Sequence, residues 1–243
     1  MSSNHSLINK LRTSVLNKYT PQTIINNPLP MATNKIFYVC SYGGCGSKVL
    51  CDYLSHFGIV KHVHSRSPPS ILTHIGLNAK WHEWFSTVPI QTQDLHKYYV
   101  IYIYRDPIKA IQSRFQQPAH LAHIQINPAT TLQQVIDSKK DLYGIEDFFD
   151  NYTSASSTTS AQSATSASST TQRNYKIYCV KYEELFNNMN EFNKTFNIQC
   201  SKDLYPVEKT TPKTMNPVLT KVLEDIYANV LIKMRAMRFI TVR

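Results

Sequence analysis

Apolar positions along this chain follow two rhythms. Predominantly apolar runs at Ile36–Cys40 (IFYVC), Tyr98–Tyr104 (YYVIYIY) and Tyr175–Val180 (YKIYCV) predict strands buried on both faces. A weaker alternation over 59–64 (IVKHVH) predicts a short additional strand. Elsewhere the apolar spacing is helical. Val49, Leu50, Tyr53, Leu54 and Phe57 predict a helix from about Ser47, with Gly58 placed to end it. Ile108, Ile111 and Phe115 predict one opening at Pro107, with Asp106 as its cap. Helical pieces follow around Leu132, Val135 and Ile136, over Ile145–Phe149, and from Glu183 through Phe186. A last helix opens at Asn216-Pro217, with Val218, Val222, Leu223, Ile226, Val230 and Leu231 on its inner face. Strands alternating with helices give an α/β class: a three-layer, doubly wound, mostly parallel sheet with helices on both faces.

Three stretches break these rhythms. Residues 1–34 contain Pro21, Pro28 and Pro30 and read as a flexible arm. Residues 70–95 are mixed, and Trp81, Trp84 and Phe85 predict a short helix there. From Thr153 to Thr171 the chain is Ser, Thr and Ala with one Gln, which cannot repay the entropy of ordering. The strand pattern resumes directly afterwards, so this segment reads as a disordered insertion in a single domain spanning 35–243. A glycan-bearing stalk is the other reading, and it requires secretion.

Composition narrows the class further. With 42% hydrophobic and 17% charged residues the chain can bury a core. No run of about 18 uncharged apolar residues occurs, so no transmembrane helix is expected. The first residues lack the apolar centre of a signal peptide, so an intracellular, cytoplasmic location is expected. Five cysteines without paired spacing make neither a disulfide framework nor a zinc site. Cys40, Cys51 and Cys179 fall in apolar patterns, while Cys45 sits in a glycine cluster. The formal charge of +10 suits an anionic ligand. The cations form no dense run, and Lys233, Arg235, Arg238 and Arg243 read as a solvated helix end, so nucleic acid rests on net charge alone.

The chemistry concentrates where the first strand runs into Ser41-Tyr42-Gly43-Gly44-Cys45-Gly46-Ser47-Lys48, which holds three of the chain's six glycines. Strand, glycine turn and helix is how a chain aims backbone N–H groups and a positive helix end at a phosphate. An ordinary strand-to-helix turn, with glycines only for tight packing, is the bland alternative. In parallel α/β sheets ligands bind beyond the carboxyl ends of the strands. The glycine loop, Arg105 and Ser113 all fall at that edge. Together they bring N–H donors, a bidentate cation and a hydroxyl, the groups a phosphate requires. The loop does not fit the triphosphate form GxxxxGK[ST], because Ser47 intervenes between Gly46 and Lys48.

Three segments in order resemble the sulfotransferases that use 3′-phosphoadenosine 5′-phosphosulfate (PAPS). FYVCSYGGCGSKVLCDYL is similar to the family's 5′-phosphosulfate loop. VIYIYRDPIKAIQSRF is similar to its 3′-phosphate motif, with Arg105 opening an Arg-Asx-Pro turn and Ser113 eight residues on. YCVKYEELF is similar to its strand ending in Tyr182, Glu183, Glu184 and Leu185. The resemblance implies a P-loop-like fold and transfer of a sulfuryl group to a hydroxyl or amine acceptor, with 3′,5′-ADP (PAP) as product and no metal. Gly44, Cys45, Gly46, Ser47 and Lys48 would hold the phosphosulfate, and Arg105 and Ser113 the 3′-phosphate. Gly44 stands where the family carries a basic residue that stabilises transferring charge, and Lys48 is the candidate substitute. The acceptor's base is expected among His62, His64, His74, His82 and Glu83, with His64 favoured by its place at a strand end. A PAP- or PAPS-binding protein with weakened catalysis is the alternative, and a P-loop nucleotide kinase a more distant one.

Overall fold

The structure, a computed structural model, describes residues 34–75, 88–115, 118–122, 124–154, 173–208 and 215–243. Its centre is one five-stranded sheet in the order β2-β1-β3-β4-β5. The strands are β1 (Ile36–Cys40), β2 (Ile59–Val63), β3 (Tyr98–Tyr104), β4 (Ile177–Lys181) and β5 (Ile240–Val242). β1 lies between β2 and β3, parallel to both, and β3 pairs parallel with β4. Only β5 runs antiparallel, with Tyr178 opposite Val242. The fold is therefore α/β with a mostly parallel sheet. Among the described residues no helix is long and apolar enough to cross a membrane.

The strand side chains alternate between two helical covers. Phe37, Tyr99 and Tyr178 meet Phe196, which follows α7 (Met189–Thr195). Tyr53 of α1 (Ser47–Leu54) joins this side, contacting Phe192 and donating its hydroxyl to Asn193 Oδ1 at 2.6 Å. From the opposite face Tyr102 stacks on Phe148 and, at 4.5 Å between centroids, on Tyr152 of α5 (Ile145–Thr153). Such offset aromatic pairs add to burial rather than merely accompanying it. Strand positions two apart share a face, so one aromatic-rich run serves both covers.

The remaining helices are α2 (Pro107–Arg114), α3 (Pro118–Ala122), α4 (Leu132–Ser138), α6 (Tyr182–Leu185), α8 (Pro217–Ile226) and α9 (Ala228–Ala236). α2 starts as its sequence dictates. Asp106 Oδ1 accepts the N–H groups of Ile108 at 2.9 Å and Lys109 at 3.2 Å, and Pro107 occupies the first turn.

Several sequence expectations need correction. Gly58 does not close α1, which ends at Leu54; a β-carbon at Gly58 would overlap the Lys35 carbonyl, so this glycine permits a close approach to the start of β1. The last helix is two helices broken at Tyr227, whose buried hydroxyl donates to Asp141 Oδ1 at 2.8 Å, and Val218 is 71% exposed. Thr153 does not begin the insertion: it is the buried last residue of α5, its hydroxyl donating to the Phe149 carbonyl at 2.8 Å. Ser154 follows as the exposed C-cap of α5; residues 155–171 of that insertion, nearly all of the N-terminal arm (1–33) and the helix expected around Trp81, Trp84 and Phe85 lie outside the described residues. β5 has no counterpart in the sequence reading.

Candidate anion site at the carboxyl edge of the sheet

The sheet order sets the location. The chain leaves β1 toward β2 on one side, then crosses to β3 on the other, so the connections diverge between the carboxyl ends of β1 and β3. That divergence opens the crevice where parallel α/β folds hold ligands. The glycine loop leaves β1 at this point, and Arg105 leads from β3 into α2.

The loop's glycines are there for contact as well as conformation. Gly43, Gly44 and Gly46 have φ of 89°, 69° and 73°, the left-handed region that other residues enter at a cost. A β-carbon on Gly44 would lie 2.6 Å from the Ala110 carbonyl oxygen and 3.0 Å from its Cα, so the loop rests on the backbone of α2. One on Gly46 would overlap the ring of Tyr182. Gly46 is also the N-cap of α1 and offers no side chain, and the first turn of that helix has no acidic residue. The backbone N–H groups of Gly44, Cys45, Gly46, Ser47 and Lys48 consequently have no acceptor among the described residues. Uncapped N–H groups at a helix start, in a glycine turn, form an anion-binding arrangement.

Behind the loop runs a buried polar chain. Gly43 N–H donates to Ser41 Oγ at 3.3 Å, and Ser41 Oγ–H to Ser47 Oγ at 3.1 Å. Ser47 Oγ lies 2.8 Å from His62 Nε2. His64 Nδ1 is 2.7 Å from the Ser41 carbonyl, which only accepts, so Nδ1 carries the proton and Nε2 is the basic nitrogen of the neutral ring. The two imidazoles are 4.3 Å apart. His64 is 3% exposed and Ser47 6%, so the Ser47 hydroxyl serves this chain while its N–H faces the loop's donor set.

Arg105 ties the crevice together. Its N–H donates to Tyr42 Oη at 3.0 Å, and the Tyr42 hydroxyl donates back to the Arg105 carbonyl. Its Nη1 donates to the Gly44 carbonyl at 3.2 Å. The guanidinium lies 4.6 Å from the centre of the Tyr182 ring, a cation–π contact, and Nε stands 4.0 Å from Glu183 Oε1. Arg105 Nε is buried and has no hydrogen-bond acceptor. Glu183 Oε1 accepts the Asp106 N–H at 3.0 Å. Burial raises the Glu183 carboxyl above its ordinary range, with the Asp106 N–H working against that shift. A cleft of about 280 Å³ opens beside these groups, lined by Tyr104, Asp106, Glu183, Glu184, Leu231 and Met234 among others. A larger, open depression against α4, of about 540 Å³, holds none of the candidate residues.

The other residues singled out from the sequence fare differently. Ser113 is exposed on α2, whose N-terminal end follows Arg105. The Lys48 ammonium does not join the loop: its side chain is 84% exposed and pairs with Asp52 at 3.3 Å on the outer face of α1. Cys45 contributes backbone only, because its buried thiol donates to the Gly43 carbonyl at 3.1 Å and burial drives its pKa far up. His74 lies away at the exposed Tyr98 hydroxyl, at 3.2 Å, and His82 and Glu83 are outside the described residues. Sequence reasoning gave no role to Tyr182, which covers Gly46 and Arg105, or to Arg114, whose Cδ would be 3.6 Å from a β-carbon on Gly43. The i, i+4 spacing of Arg114 from Ala110 was the signal available, once Ala110 is known to meet the loop.

Comparison with known proteins returned no match to a family model, a curated protein or a solved structure.

Proposed function

We propose that the chain is a PAPS-dependent sulfotransferase with a P-loop-like, doubly wound fold, transferring a sulfuryl group to a hydroxyl or amine acceptor. The observation that carries the reading is the run of N–H groups from Gly44 to Lys48 without acceptors among the described residues, in the loop whose Gly44 carbonyl accepts from Arg105. The order of the three sequence segments supports it. In the transfer, the acceptor oxygen or nitrogen bonds to sulfur as the bond from sulfur to the bridging phosphate oxygen breaks. The acceptor's proton passes to a base, and negative charge collects on the departing phosphate. Fixed N–H donors at that position stabilise the charge without reorganising. Arg105, with a buried Nε lacking an acceptor, is suited to the 3′-phosphate, and Ser113 would add a hydroxyl. His64 is the base on this reading, since its Nδ1–H is held by the Ser41 carbonyl, which orients the ring at the carboxyl end of β2.

The test is nucleotide selectivity. Calorimetry should give binding of 3′,5′-ADP well ahead of ADP and ATP, and Arg105→Ala should weaken it about 10- to 100-fold, the range for losing a charge-assisted hydrogen bond. Heat from ATP with none from 3′,5′-ADP would sink the proposal.

A second reading, nucleotide binding with weakened transfer, is favoured by one observation. Gly44 has no room for the basic side chain that the resemblance places there, and the Lys48 ammonium is engaged outside. Sulfate transfer from PAPS to phenolic, alcoholic and amine acceptors separates the two: turnover excludes the second reading, and binding without turnover supports it.

A further inference from the structure

The loop's one cation, Lys48, pairs with Asp52 on the outer face of α1, but the helix beneath the loop brings another. α2 meets the loop through Ala110, under Gly44. Residues four apart on a helix lie one above the other on the same face. One turn beyond Ala110 is Arg114, and its Cδ and Nε would stand 3.6 and 3.9 Å from a β-carbon on Gly43. The side chain is half-buried, running along the loop rather than into solvent. Burial lowers its pKa from the usual arginine range. A guanidinium held beside a glycine turn presents a planar fork that suits phosphate oxygens.

We propose that Arg114 is the cation of the phosphate loop, binding the 5′-phosphate end of the nucleotide in place of the basic side chain that Gly44 excludes. This rests on the nucleotide reading above and divides the labour between two arginines. Arg105, at the head of α2, meets the 3′-phosphate, and Arg114, at its end, the 5′-phosphate. The stem packing at Gly43 fixes Arg114's position without a loop side chain.

The experiment compares 3′,5′-ADP with 3′-AMP, which lacks the 5′-phosphate, by calorimetry on the full chain. In the wild type the 5′-phosphate should strengthen binding at least about tenfold. Arg114→Gln keeps the Cβ and Cγ methylenes, sets its amide carbon at the position of the Cδ that packs on Gly43, and removes the charge. It should cut that gain to about threefold or less while leaving 3′-AMP affinity unchanged. Arg105→Ala should weaken both ligands and keep the gain. Arg114→Lys, which keeps charge but not the fork, should fall between. An undiminished gain in Arg114→Gln would overturn the assignment, as would equal weakening of both ligands, which marks a packing role. A wild type that binds neither nucleotide would overturn the nucleotide reading itself, and that result is distinct from either.

Discussion

Adding one carbon to Gly44 tests whether the loop's conformation is set by contact with α2. In Gly44→Ala two costs combine. At φ 69° a non-glycine residue pays about 1–2 kcal/mol. The new methyl then sits 2.6 Å from the Ala110 carbonyl oxygen and 3.0 Å from its Cα. These are backbone atoms of a helix, which no rotamer change can move, so the crowding falls in the range of about 1–3 kcal/mol for overpacking. The sum is about 2–5 kcal/mol, or a melting-point loss of about 5–15 °C for a domain of this size. Gly43→Ala is the control. Its φ is 89°, but its nearest neighbour is Arg114 Cδ at 3.6 Å, an ordinary contact with a flexible side chain. It should cost only the conformational part, about 1–2 kcal/mol. Urea unfolding followed by circular dichroism, with slopes checked for constancy, measures both. If Gly44→Ala lies within about 0.5 kcal/mol of wild type, or no lower than Gly43→Ala, the loop does not rest on Ala110 as described. The same geometry predicts that Gly44→Lys destabilises the loop.

Removing the α2 cap in Asp106→Ala should cost about 1 kcal/mol, with Asp106→Asn keeping most of it; equal stability of all three proteins in urea would refute the capping role. Asp141 is held by the Tyr227 hydroxyl and the Glu146 N–H, both at 2.8 Å, but burial outweighs them and raises its pKa. Its contribution to stability is therefore full below the unfolded value near pH 4 and is lost as pH rises through the folded value. Asp141→Asn should gain on the wild type across that rise, and a constant difference in urea midpoint from pH 3.5 to 7 would contradict the sign. At neutral pH a thiol reagent should label Cys45 orders of magnitude more slowly in the native than in the urea-unfolded protein, because it is fully buried with a raised pKa; native labelling at the unfolded rate would show that the loop opens freely.

What the sequence conveyed follows from how local each determinant is. Ile36–Cys40 and Tyr98–Tyr104 have the bounds their apolar runs suggested, since a strand buried on both faces must be apolar at every position. Asp106-Pro107 marks a helix start through contacts spanning three residues. β5 carries too short a pattern, and its pairing partner Tyr178 is distant in the chain. The break at Tyr227 depends equally on a distant group, the Asp141 carboxylate. Apolar spacing ran on through that residue because the rows on both sides of it are helical.

The site divides along the same line. Its glycine turn and Arg105 were legible because the turn needs particular residue types in adjacent positions. The reason for each glycine was not, since Ala110 and Tyr182 arrive from other segments. Tight packing of this loop is therefore compatible with a run of open N–H donors. Close approach to α2 and to Tyr182 excludes side chains at Gly44 and Gly46, and the left-handed turns that glycine allows leave consecutive N–H groups without acceptors among the described residues. A loop built in this way cannot also supply a cation from Gly44. Among the described residues, the guanidinium groups beside the loop are those of Arg105, which precedes the helix that carries Ala110, and Arg114, at that helix's end. The helix that leaves no room for a side chain at Gly44 thus also brings Arg114 alongside Gly43.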